Sequence, residues 1–293
     1  ETDTYRGAMT GQDKPDPLDW PGMKFIPVGR VRSPVSSSRV MQPQGVTARI
    51  EIFPPFREAL MGIETNTHLI VLGWMHNARR DLLRAVPRKI SPDLPERGVF
   101  ALRSPSRPNP ISVSIVRLAG LAGDDALEVD NLDLIDGTLV LDIKPYQAGW
   151  DCVFSASGHN RTEKIGKMGP ARYRETLARE AVSYHGEWCP GAALAVRMAE
   201  YSTGLLGGDL RRPEVTLALG NDPCITDSLI GITGARAGNM RLLFPGPGDN
   251  PPYILSTPGC RVSFLVRAPC GEISSILARD VHDLFVSVDS SDG

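Results

Sequence analysis

The sequence predicts a mixed fold: an all-β barrel over residues 23–150, then a smaller α+β domain over 169–293. A polar leader (1–22) precedes them and a linker (151–168) joins them. Three observations predict this. Between Met23 and Tyr146 the chain reads as seven short β-rich runs separated by Gly, Pro and Asp. Residues 147–168 lose apolar periodicity and become small and polar. From Pro170 onward helical spacing appears, and strand-like runs follow it.

The elements follow in order. ETDTYRGAMTGQDKPDPLDWPG is polar and has no apolar signal core. KFIPVGRVR, VTARIEIF, HLIVLGWM, GVFAL, SVSIVRLAGL, ALEVDNLDL and TLVLDI are the expected strands of the barrel. PPFREALMGI and NARRDLLRAV are the expected helices of this half. A strand–GxGxxG–helix unit is missing, so a Rossmann nucleotide site is not supported. In the second half, PARYRETLAREAVSYH opens on Pro170, which suits a first helical turn. PGAALAVRMAEYSTGLL reads as a helix buried on its Ala/Leu face, EVTLALG as a strand, and LARDVHDLF closes the chain.

Composition narrows the function classes. At 293 residues, 41% hydrophobic and 23% charged, the chain suits one large or two medium soluble domains. A net charge of −2 provides no global basic field, which argues against affinity driven by nucleic-acid phosphates; no DNA partner is expected. Arg79, Arg80, Arg84, Arg88 and Lys89 crowd together, and read as a solvated helix face ahead of an RNA surface. No apolar run approaches the roughly 20 residues of a membrane span, so no membrane partner is expected. Five scattered cysteines suit a reduced, cytoplasmic setting better than a disulfide framework; Cys260 and Cys270 are expected as buried thiols.

One stretch stands out. RSPSRPNPIS (103–112) holds three prolines, which exclude helix or central strand and push each preceding residue toward extended geometry. The expected result is a stiff, extended loop. Arg103 and Arg107 can offer planar donor forks to a carboxylate or phosphate, and Asn109 an amide donor and acceptor. The plain alternative is an ordinary proline-rich connection with solvated arginines.

Together with MKFIPVGRVRSP, QPQG and NLDLIDGTLVLDIKPY, this block resembles the TrmO (TsaA-like) family of S-adenosylmethionine-dependent tRNA methyltransferases. The resemblance covers residues 24–146 and implies a β-barrel methyltransferase working as a homodimer. It implies donor contacts from Gln42, Pro43, Gln44, His76, Asn77, Arg103, Val113, Asp130, Asn131, Leu132 and Asp133. Arg103 suits the donor carboxylate, and backbone groups near Leu132 the adenine edge. The implied acceptor is a threonylcarbamoyl-modified adenosine beside the tRNA anticodon. Methyl transfer to nitrogen depends mostly on alignment, yet the acceptor must shed a proton. Asp136 and Asp142 are candidates to take it; Asp136 could equally be a turn residue bonding its own backbone. Lys144 either orients the substrate or closes the barrel. Departures from the family pattern are Gln-Pro-Gln for Pro-Arg-Gln, NPIS for NPIG and DGTL for DGTP.

A second block, HGEWCPG with GNDPCITD, resembles the FmdE-like domains associated with formylmethanofuran dehydrogenase. Glu187 stands in place of a histidine, Ile225 of a glycine and Ala237 of a lysine. His185, Cys189 and Cys224 could hold zinc or another divalent metal, with Glu187, Asp222 or Asp227 as a fourth ligand. Alternatively His185 and Cys189 merely cap and pack a helix. The reading is thus a methyltransferase; a small-molecule or metal-linked acceptor, or a non-catalytic sensor of donor and metal, are the alternatives.

Overall fold

A computed structural model describes residues 24–41, 45–156, 158, 161–244, 250–267 and 271–291. The leader, Gln42, Pro43, Gln44 and Cys270 lie outside the described residues. The described chain forms two compact units. One comprises residues up to Ala78 together with Asn109–Tyr146; the other comprises Arg79–Pro108 together with Gln147 onward.

The strands of the first half are β1 (Gly29–Arg32), β2 (Val46–Ile52), β3 (His68–Trp74), β4 (Arg84–Ala85), β5 (Arg97–Gly98), β6 (Ile111–Leu121), β7 (Ala126–Leu132) and β8 (Leu139–Pro145). Among the described residues, six of them close into a barrel in the order β1-β2-β7-β6-β3-β8, every neighbouring pair antiparallel. Alternation decides which side chains fill it. In β2, Ala48, Ile50 and Ile52 are buried, while Thr47 and Arg49 face out. Val31, Leu69, Val71, Val116, Leu127, Val129 and Val140 complete the interior, each fully buried. Burying each such side chain contributes about 1.5–3 kcal/mol. Side chains therefore fill so narrow a barrel, and a ligand must bind at its ends or its outer face.

Three local expectations are corrected. GVFAL is not a strand: Val99–Ala101 is a single 3-10 turn, with Val99 buried and Phe100 exposed. Its carbonyls at Val99 and Leu102 are taken by the Arg107 guanidinium instead of a ladder. NARRDLLRAV is not a helix. Arg79 pairs with Asp81 two residues on, a spacing a helix would splay apart, and Pro87 disfavours helical geometry at Val86. Arg84 and Ala85 instead form β4, paired with β5. The Arg79–Lys89 basic run is therefore not a helix face. PPFREALMGI becomes two 3-10 segments, Pro54–Leu60 and Ile63–Thr65, divided by Gly62 at φ +82°.

The second unit contains α1 (Ala148–Asp151), α2 (Arg161–Gly166), α3 (Pro170–His185), α4 (Pro190–Leu206), β9 (Thr216–Ala218), α5 (Pro223–Thr233), β10 (Leu242–Leu243), β11 (Tyr253–Thr257), β12 (Cys260–Val266), α6 (Ile273–Ala278), α7 (Val281–Leu284) and β13 (Phe285–Ser291). LARDVHDLF does not close the chain, since β13 follows it and joins the sheet β10-β9-β11-β12-β13. Helix α3 begins at Pro170 and stops at Gly186, φ +99°, as its terminal residues demand. The apolar α4 is covered by α3, α5, α6 and the sheet. Helices α3 and α5 meet almost backbone to backbone: a Cβ on Gly231 would lie 2.5 Å from Glu180 O and 2.8 Å from Tyr184 Cβ. Arg161 ties the unit together, reaching both oxygens of Glu180 (2.6 and 2.9 Å) and Asp209 (2.9 Å).

Candidate functional site

Antiparallel strands bring every second connection to the same end of a barrel. Here that end holds the segment after β1, Gly45 before β2, His76 and Asn77 after β3, Asn109 before β6, and the β7–β8 turn. Register agrees: Trp74 pairs with both Ile111 and Leu139, and Val46 with Leu132. His76, Asn77, Asn109, Asn131, Leu132, Asp133 and Asp136 thus gather on one rim. The polar layer beneath it is also local. Ser112 Oγ accepts from Gly73 N at 3.0 Å, Ser114 Oγ donates to Asp133, and Thr138 is buried.

Two backbone features mark this rim. Asn131 adopts φ +67°, one of only two non-glycine residues in the left-handed region among the described residues. Facing it is Gly45, at φ +77°, where an added Cβ would lie 2.4 Å from the Asn131 carbonyl carbon. Strain of this kind costs on the order of 1–3 kcal/mol and clusters at ligand sites. Asp136 Oδ1 accepts from Ser33 N (3.1 Å), pinning the segment after β1 to the rim. Asp133 accepts from Ser114, and Asp130 is held on the outer sheet by Thr47 (2.7 Å) and Arg117 (3.2 Å).

Asp142 and Val113 do not join this cluster. Asp142 pairs with Leu72, three residues along β8 from Leu139, hence about 10 Å from the rim at 3.3 Å per residue. It forms an exposed ion pair with Lys144 (2.6 Å). Val113 points outward from β6 and is 47% exposed. Arg103 and Arg107 belong to the second compact unit. Arg107 braces its own loop, with Nε donating to Ser104 O (2.9 Å) and Nη2 to Val99 O (2.8 Å) and Leu102 O. The segment from Ser104 to Pro110 holds no helix or strand, as its prolines require.

The second unit gathers its own chemistry. Atoms of His185, Cys189 and Cys224 lie within 4.8 Å of one another. His185 comes from the last turn of α3. Cys189 caps α4, accepting from Ala192 N, and its sulfur lies 3.3 Å from His185 Nε2. Cys224 sits in the first turn of α5, which Asp222 caps through Ile225 N (2.9 Å). A Cβ on Gly191 would lie 2.5 Å from Cys224 Cβ, so only glycine lets the two helix starts approach. Gly220 plays the same part for Tyr253, whose hydroxyl holds both backbone groups of Asp222. Partial burial, the Cys189 sulfur and the carboxylates of Asp222 and Glu187 push the Cys224 thiol up to about 11. A divalent cation would offset that accumulation of negative potential.

These features define a small closed β-barrel with a loop-built rim, joined to an α+β unit bearing an imidazole–dithiol cluster. Residues 31–152 match the family described as tRNA-methyltransferase O N-terminal domain, and residues 184–251 match FmdE, Molybdenum formylmethanofuran dehydrogenase operon. The chain is 40% identical over 238 residues to an Archaeoglobus fulgidus protein named "Probable S-adenosyl-L-methionine-binding protein", covering 76% of this chain and 61% of that one. It is 41% identical over 140 residues to a second A. fulgidus protein, named "S-adenosyl-L-methionine-binding protein" (46% of this chain, 98% of that one). A Methanothermobacter thermautotrophicus protein, also named "Probable S-adenosyl-L-methionine-binding protein", is 43% identical over 128 residues (42% and 90%). A solved structure titled "Crystal structure of TrmO" shows 25% identity and a TM-score of 0.40, covering 85% of this chain and 95% of that one. The chain belongs to the TrmO N-terminal-domain family.

Proposed function

We propose that this chain is an S-adenosylmethionine-dependent methyltransferase that binds its donor at the barrel rim. The observation that carries the reading is the convergence of Gly45, Asn109, Asn131, Leu132, Asp133 and Asp136 on one end of the barrel, around the strained Asn131–Gly45 approach. The rim fits the donor chemically: Asp133, Asp136 and the Asn131 carbonyl offer acceptors to an ammonium and a sulfonium. Glycine at position 45 keeps the backbone close without a side chain in the way. The adenine edge goes to backbone groups at Leu132, and the donor carboxylate to Arg103 by family resemblance. When bound, the sulfonium supplies an electrophilic methyl group. The chain's part is alignment and exclusion of water. Asp136, already on the rim, is the better proton acceptor of the two aspartates; Asp142 lies too far along β8.

The proposed acceptor is the threonylcarbamoyl-modified adenosine of tRNA, the acceptor that the family resemblance implies. Calorimetry with S-adenosylmethionine and S-adenosylhomocysteine tests the donor site, and release of S-adenosylhomocysteine on bulk tRNA tests the acceptor. Absence of donor binding sinks the whole proposal. Turnover on small-molecule pools but not tRNA redirects only the acceptor. Arg103→Ala is expected to lose donor binding.

We further propose a homodimer, supported by an apolar outer face where Ile70, Leu72 and Trp74 of β3 lie beside Ile111, Val113 and Ile115 of β6, with Ile115 50% exposed. Sedimentation of an Ile115→Lys variant as monomer would support it. The His185–Cys189–Cys224 cluster is proposed to hold zinc or a similar divalent ion, since its N and S donors are those zinc prefers. Among the described residues four cysteines are free thiols, in keeping with a cytoplasmic setting. No described helix is long and apolar enough to cross a membrane.

A further inference from the structure

The two nitrogens of His185 meet different surroundings. Nε2 faces Cys189 Sγ at 3.3 Å, inside the cluster. Nδ1 is buried and has no hydrogen-bond partner among the described residues. Opposite it stands Asp227, with Oδ2 at 3.6 Å. Asp227 follows Cys224 by three residues on α5, so one helix face delivers the thiol to the front of the ring and the carboxylate to its back.

That arrangement selects a tautomer. A neutral imidazole carries one proton, and Nε2 can donate a lone pair to a cation only if that proton is on Nδ1. A buried Nδ1–H needs an acceptor. Resting on the metal reading above, we propose that Asp227 is that acceptor: it orients His185 toward the cation and is not itself a ligand. At 3.6 Å the contact is longer than a hydrogen bond. The Asp227 side chain is 45% exposed, so it can turn to close the gap, whereas the ring, 11% exposed, is fixed by packing. A cation on Nε2 also strengthens the Nδ1–H donor.

The other carboxylates do not compete for this role. Asp222 is committed to capping α5. Glu187 is exposed. One ring cannot place the same ion on both of its nitrogens, so an Asp227 held at Nδ1 is excluded from the ligand set. The centre then takes His185, Cys189 and Cys224 as ligands, with a fourth position left to Glu187, water or an exchangeable ligand.

The test is titration of the full chain with Co2+, followed by absorption, and Zn2+ affinity by chelator competition. The wild type is expected to take one Co2+ per chain, and Cys189→Ser with Cys224→Ser to take none. Asp227→Asn should keep the stoichiometry and the cobalt spectrum but bind about 10- to 100-fold more weakly, and Asp227→Glu should recover most of the loss. In the metal-free protein, 15N spectra should show His185 favouring Nδ1–H in the wild type and losing that preference in Asp227→Asn. Thermal melts of the metal-free variants control for folding. Unchanged affinity and tautomer in Asp227→Asn overturns the proposal. A changed stoichiometry or cobalt spectrum in that variant makes Asp227 a ligand and overturns it too. Failure of the wild type to bind Co2+ strikes the metal reading itself.

Discussion

At the residue scale, function here depends on what glycine leaves out. Gly45 needs both its positive φ and its missing side chain, because the Asn131 backbone occupies the space. Gly45→Ala is expected to weaken donor binding at least tenfold by calorimetry while the barrel still folds, as judged by circular dichroism. Gly191 does the same for Cys224. Gly191→Ala should remove tight Co2+ binding even though alanine is the better helix former. The sequence makes the chemistry-bearing types at these places legible: HGEWCPG and NDPC name His185, Cys189 and Cys224 directly. What it does not display is proximity across 33 positions, from Gly191 to Cys224, or which nitrogen of His185 faces Asp227. Asp136 shows the same limit. DGT announces a turn, but the Ser33 amide that Asp136 binds is 103 positions away.

At the scale of elements, local signals are readable where local forces decide. Helices α3 and α4 run from proline to glycine, and the expected bounds 170–185 and 190–206 are the observed ones. The β-rich runs of the barrel are readable for the same reason, because alternation is written every second residue. GVFAL and NARRDLLRAV mislead because distant partners decide them: Arg107 for the first, the β4–β5 pairing and Pro87 for the second. Buried arginine is another tie with no local signature. Arg241, 8% exposed, donates to the carbonyls of Val215, Leu210 and Thr233, binding the approach to β9, the end of α5 and β10. Arg241→Met would orphan those carbonyls, and a loss of about 3–5 kcal/mol is expected in chemical denaturation. Tyr173 on α3 supplies a pH signature. Burial raises its hydroxyl from the ordinary phenol value of 10.0 to about 12. The proton is therefore held more tightly in the folded state. The associated stability is complete below about pH 10 and is lost as pH climbs through about 12. Tyr173→Phe should flatten that alkaline decline in denaturation midpoints.

At the scale of the whole molecule, the sequence shows a texture change near residue 147, and Gln147 onward clusters with the second unit. The assignment of Arg79–Pro108 to the second unit is not visible there. Nothing in its composition points away from the barrel strands on either side, and its ties are tertiary: Arg97 to Glu163 (3.4 Å) and Lys167 to Asp93 O (3.1 Å). Metal occupancy should be felt globally, because a cation bound only by the folded state adds about 2.7 kcal/mol at a hundredfold excess over its dissociation constant. Stripping the protein with a chelator is expected to lower its melting temperature, and adding Zn2+ to restore it.

The detour of 30 residues between β3 and β6 also bears on how a gene of this kind can be shortened. A stop codon after Tyr146 would divide the second compact unit, keeping Arg79–Pro108 and losing Gln147 onward. It would leave Arg97 and the Asp93 carbonyl without Glu163 and Lys167, their partners in the intact chain. A shortened gene must therefore splice out the detour, or give Arg97 and the Asp93 carbonyl new partners in place of Glu163 and Lys167.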